Sequence, residues 1–64
     1  MSVEVVVQRV RAEFEEMPDL TLTVPQAARL FGIEKDLCQS VVDHLIDSEF
    51  LRLTRSGAVT RGKR

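Results

Sequence analysis

Apolar residues at Val3, Val7, Val10, Phe14 and Met17 recur every three or four positions, the period of one face of an amphipathic helix. Ser2 is placed to cap that helix, and Glu4 lies in its first turn, where the helix dipole favours negative charge. Pro18 stops it, because the residue before a proline is pushed out of the α region. A helix is therefore predicted over residues 3–17. Val3, Val5 and Val7 also alternate as a strand would, but the longer period runs on through Phe14 and Met17 and outweighs that signal. Val5 and Val6 lie beside the stripe, so the helix carries more apolar surface than one face hides.

Leu20-Thr21-Leu22-Thr23 alternates apolar with polar and predicts a short strand over 20–23. Thr23 doubles as the N-cap of the next helix, and Thr23 with Gln26 matches a capping box. Pro25 falls in the first turn, where its missing N–H costs nothing. That helix is predicted over 24–31. Gly32 ends it with the left-handed residue that a tight interhelical turn requires. The third helix, 35–48, has the clearest period: Leu37, Cys38, Val41, Val42, Leu45 and Ile46 form a broad apolar stripe. Lys35, Asp36, Gln39, Ser40, Asp43 and Asp47 occupy the opposite face. Residues 50–54 and 58–61 read as two strands about a Ser56-Gly57 turn, a hairpin over 50–61 followed by a basic tail, 62–64. The expected class is mainly α with a small antiparallel sheet of two or three strands, one domain over 1–64 with no repeat or linker.

Composition narrows the possibilities. With 64 residues, 44% apolar and 30% charged, the chain is that of a small globular domain. A chain this short buries only about 60% of the surface its unfolded form exposes, which leaves little room for a catalytic cleft beside a core. No apolar run reaches the length of a membrane span and no signal peptide is visible, so neither membrane insertion nor secretion is expected. The single cysteine, Cys38, forms no internal disulfide, which fits a reducing cytoplasm. Charge is unevenly spread. Residues 1–51 hold Arg9, Arg11, Arg29 and Lys35 against all ten acids, whereas residues 52–64 hold Arg52, Arg55, Arg61, Lys63 and Arg64 and no acid. Such polarity points to a negative partner at the C-terminal end, or to a solubilising tail.

The helix, short strand, helix, helix and hairpin, with these residues, resemble the winged helix-turn-helix family over most of the chain, from Val3 to Arg61. Ala28 stands four residues before Gly32, where the family keeps a small residue for close approach of two helices. Ile33, Cys38 and Val41 match its apolar anchors. The run "HLIDSEFLRLTRSGAVTR" is similar to the end of a recognition helix followed by the wing, and "MPDLTLTVPQAARLFGI" is similar to small bacterial stand-alone members. Glu49 departs from the pattern, standing where glycine is usual. In a left-handed conformation it would cost on the order of 1 kcal/mol.

The resemblance implies binding of double-stranded DNA, as in a small transcriptional regulator. Lys35, Asp36, Gln39, Ser40 and Asp43 would then face bases in the major groove, and Arg29, Arg52, Arg55, Arg61, Lys63 and Arg64 would meet phosphates. Gln39 suits adenine, while Asp36 and Asp43 accept only from cytosine and repel phosphates. Glu34 is expected to satisfy N–H groups at the start of the third helix. The alternative is a protein-interaction module that uses the acidic face of the third helix and the apolar first helix, which also offers a route to a homodimer.

Other signals lead nowhere. Residues 57–63 imitate the start of a phosphate-binding P-loop, but Arg64 follows in place of Ser or Thr and no helix can come after it. Cys38 falls on the apolar stripe and His44 at its edge, too few ligands for a metal and badly placed for a nucleophile pair. No enzyme activity, cofactor or metal is expected.

Overall fold

A computed structural model describes residues 2–62. Lys63 and Arg64, two of the cations expected on phosphates, lie outside the described residues. Three helices, α1 (Val3–Glu16), α2 (Val24–Phe31) and α3 (Lys35–Asp47), combine with three short strands, β1 (Thr21–Thr23), β2 (Leu51–Leu53) and β3 (Ala58–Arg61). The strands form one antiparallel sheet in the order β1-β3-β2. The fold is mainly α with a small sheet, and among the described residues no helix is long and apolar enough to cross a membrane.

Local chemistry sets the helix boundaries. Ser2 Oγ accepts from the Glu4 and Val5 amides at 3.1 and 3.4 Å and so caps α1. The α1 pattern needs one correction. Val6, Val10 and Phe14 form its buried row, while Val3 and Met17 are 55% and 45% exposed. At 100° per residue, Val3 and Met17 still point towards the core side, but they sit at the first residue and the C-cap of the helix, and both are exposed. Val6 therefore belongs inside, and Val5, on the opposite face, is 60% exposed. The reciprocal capping box of α2 is formed: the Gln26 amide donates to Thr23 Oγ1 at 3.3 Å, and the Thr23 amide donates to Gln26 Oε1 at 3.0 Å. Gly32 then turns the chain at φ 68°, and the Ile33 amide closes onto the Ala28 carbonyl at 3.1 Å.

At the end of α3, Glu49 takes the left-handed conformation itself, with φ 67°. Its amide donates to the Ile46 carbonyl at 2.9 Å and the Phe50 amide to the Leu45 carbonyl at 3.0 Å, the paired bonds of a Schellman end. The hairpin closes through three residues. The Gly57 amide bonds the Thr54 carbonyl at 3.1 Å, and Gly57 supplies the positive φ of 86° that follows a type I turn. The core joins Phe14 and Val10 of α1 to Val41, Val42 and Leu45 of α3 and to Leu51 and Val59 of the sheet. Cys38 lies within it, its thiol facing the Val24 carbonyl at 3.7 Å, and burial pushes its pKa up. His44 is exposed on the helix surface. One polar side chain is buried with a purpose that no local pattern signals: Thr60 Oγ1 donates to the Leu20 carbonyl at 2.9 Å, tying β3 to the start of β1.

Candidate nucleic-acid interface

The packing of α3 decides what it can present. Cys38, Val41, Val42 and Leu45 hold one side against the core, so Lys35, Asp36, Gln39, Ser40 and Asp43 all project from the other and are exposed. Lys35, Gln39 and Asp43 follow one another at four-residue steps, about 6 Å apart along the axis, and Asp36 and Ser40 form the adjoining row. Within the first row the Gln39 amide nitrogen donates to Asp43 Oδ1 at 2.9 Å. That bond fixes the plane of the amide and screens part of the Asp43 charge. It leaves Gln39 one N–H and its carbonyl, the pair an adenine edge requires.

The start of α3 differs from expectation. Glu34 is the N-cap, but its side chain makes no capping hydrogen bond; its carbonyl accepts from the Cys38 amide at 2.9 Å instead. The capping residues that reach back to these amides are shorter (Ser, Thr, Asp, Asn), and glutamate carries an extra methylene. Asp36, in the first turn, supplies the negative charge that the dipole favours there.

The arginines divide into two groups. Arg29, in the last turn of α2, is exposed, as are Arg52 on β2 and Arg55 at the hairpin tip. Arg61 is half-buried. In the sheet register Arg61 stands opposite Leu51, while Arg52 stands opposite Thr60. Successive side chains point to opposite faces of a strand. Arg61 therefore shares the inner face with buried Leu51, and Arg52 projects from the outer face. The Arg61 guanidinium lies 4.6 Å from the centroid of the Phe50 ring, and the Arg11 guanidinium from α1 lies 4.8 Å from the same centroid. This placement sets Arg61, one of the cations expected on phosphates, apart from Arg52: its charge is held against an aromatic ring beside α1.

Three contributors to this surface are not apparent from sequence. Arg11 falls at the edge of the α1 apolar arc, four residues after Val7, and nothing local distinguishes it from Arg9. Phe50 reads as one more strand residue. Gly62 reads from sequence as part of a basic tail, yet its amide donates to the Phe50 carbonyl at 2.8 Å. A Cβ at this position would meet the Glu49 carbonyl oxygen at 2.5 Å. Each of these roles depends on a residue ten or more positions away.

Compared with protein-family models, curated proteins and solved structures, the chain finds no match in any of the three.

Proposed function

We propose that this chain is a winged helix-turn-helix module that binds double-stranded DNA, with α3 in the major groove and the β2–β3 hairpin along a phosphate strand. One observation carries the reading: α2 packs on α3 through the left-handed Gly32, leaving Lys35, Asp36, Gln39, Ser40 and Asp43 as a continuous exposed face. Arg29, Arg52 and Arg55 add three exposed cations. Affinity for DNA comes largely from such cations through release of counterions. Gln39, oriented by Asp43, is the best base reader, with Lys35 and Ser40 beside it. Asp36 and Asp43 accept only from a cytosine amino group and lower the overall affinity. The sheet order β1-β3-β2, with β1 completing the hairpin sheet, supports the same assignment. On this reading the module is a small regulator and not an enzyme.

The acidic character of α3 favours one other reading, a protein-interaction module that docks a basic partner on Asp36, Asp43 and Asp47. The deciding experiment is fluorescence anisotropy of a labelled random-sequence duplex titrated with the protein at several salt concentrations. DNA binding through three to five cations gives a slope of log K against log salt of roughly −3 to −5. No binding at low salt rejects the DNA reading. Charge reversal at Asp43 and Asp47 then becomes the next step, with pull-downs of basic partners as the readout.

A further inference from the structure

We infer that the outer edge of β2 receives an extended segment of a partner protein, in which one acidic residue is flanked by two apolar ones. β2 is an edge strand, with only β3 beside it. The Gly62 amide bonds the Phe50 carbonyl at 2.8 Å, the Thr54 amide bonds the Ala58 carbonyl at 2.7 Å, and Arg52 faces Thr60 between them. Hydrogen bonding alternates along an antiparallel ladder. Phe50, Arg52 and Thr54 therefore turn their backbone groups towards β3, and Leu51 and Leu53 turn theirs to the open edge. An added strand pairs with those groups.

The side chains specify what kind of strand. Leu53 is 60% exposed although it lies on the inner face, in register with fully buried Val59. Beside β2 runs an open groove, to which Ile46, Phe50 and Leu53 contribute apolar surface and Arg11 and Arg52 contribute positive charge; Glu49 is the one acid lining it. A residue paired opposite Arg52 projects from the outer face, so opposite charge is favoured there. Its two neighbours project from the inner face, one opposite Leu53 and the other opposite Leu51 beside the apolar groove. The pattern apolar-acidic-apolar follows.

A second copy of this chain is the competing occupant, and the same register disfavours it. Pairing β2 with its symmetry mate about the central residue sets Arg52 against the mate's Arg52 at the close position, with Cα atoms about 4.5 Å apart. Like charges directly opposite destabilise a strand pair. A short edge bearing a cation is a common protection against self-pairing. Here it repels another Arg52 and accepts a carboxylate. The inference stands apart from DNA binding and is tested without DNA.

The test is titration of isotope-labelled protein with the peptide acetyl-Thr-Val-Glu-Val-Thr-amide, followed by amide chemical shifts, beside the same peptide with Lys in place of Glu. At about 1 mM peptide, the glutamate peptide shifts the Leu51 and Leu53 amides most, and the lysine peptide binds roughly tenfold more weakly. Arg52→Glu reverses that preference while the amides away from β2 and β3 keep the positions of the folded parent. Equal responses to the two peptides, or shifts centred away from β2, overturn the proposal. Shifts at Leu51 and Leu53 that grow with protein concentration alone overturn it in favour of a second copy.

Discussion

Gly62 passes so close to Glu49 that a Cβ built on it stands 2.5 Å from the Glu49 carbonyl oxygen. The strand leaving the sheet is thus seated on the left-handed turn that ends α3, and the two positions respond oppositely to substitution. Gly62→Ala forces backbone apart, because the obstructing atom is a carbonyl and not a flexible side chain. A loss of about 1–3 kcal/mol is expected, in line with overpacking elsewhere. Glu49→Gly relieves a positive φ of 67° and gains about 1 kcal/mol. Urea denaturation checks both: the midpoint moves down for the first and up for the second, with the slope unchanged.

Arg52 and Arg61 are expected to separate in DNA titrations. Replacing Arg52 and Arg55 together with alanine removes two exposed cations and flattens the salt slope by about 2, without lowering the melting temperature. Arg61→Ala leaves the slope unchanged and lowers the melting temperature, since its charge lies over Phe50 beside α1. A slope flattened by about 1 in Arg61→Ala would show that Arg61 reaches phosphate after all.

Phe50 joins α1 to the sheet through two guanidinium groups, those of Arg11 and Arg61. Phe50→Leu keeps an apolar side chain and removes both ring contacts. The expected loss is about 1–2 kcal/mol, from two partly exposed cation–π pairs. A double-mutant cycle between Phe50→Leu and Arg11→Met isolates the α1 contact. A coupling of zero would reduce the stack to simple proximity.

Cys38 carries a pH dependence of determined sign. Burial raises its thiol pKa in the folded chain, so the folded state holds the proton where the unfolded state releases it. The stability this contributes is complete below the unfolded thiol pKa. It declines as pH rises from about 8 towards the raised folded value. Urea midpoints measured across that range fall for the parent protein and fall less for Cys38→Ala, which has no thiol to ionise.

The elements themselves were legible in the chain because their causes are local. Ser2, the Thr23–Gln26 capping box, Pro25, Gly32 and the α3 stripe act within a few residues of one another, and the helices begin where those signals place them. Each predicted boundary lies within one residue of the observed one. The exposed face of α3 was equally legible, since the periodicity that buries Cys38, Val41 and Leu45 leaves Gln39 and Asp43 outside.

Tertiary structure decided the rest. Helical period alone could not rank Val3 against Val6, because burial at a helix end depends on how far the neighbouring elements extend. Nor does composition distinguish Arg52 from Arg61. The register of β2 on β3 does so, putting one outside and the other against Phe50. Gly62 and Thr60 acquire their roles only when β3 meets the end of α3 and the start of β1. Sequence by itself determined where the chain bends and which faces are apolar, because backbone sterics and amphipathic periods are short-range. Which cations stand together was left to the fold, since that depends on strand register and on contacts between residues tens of positions apart.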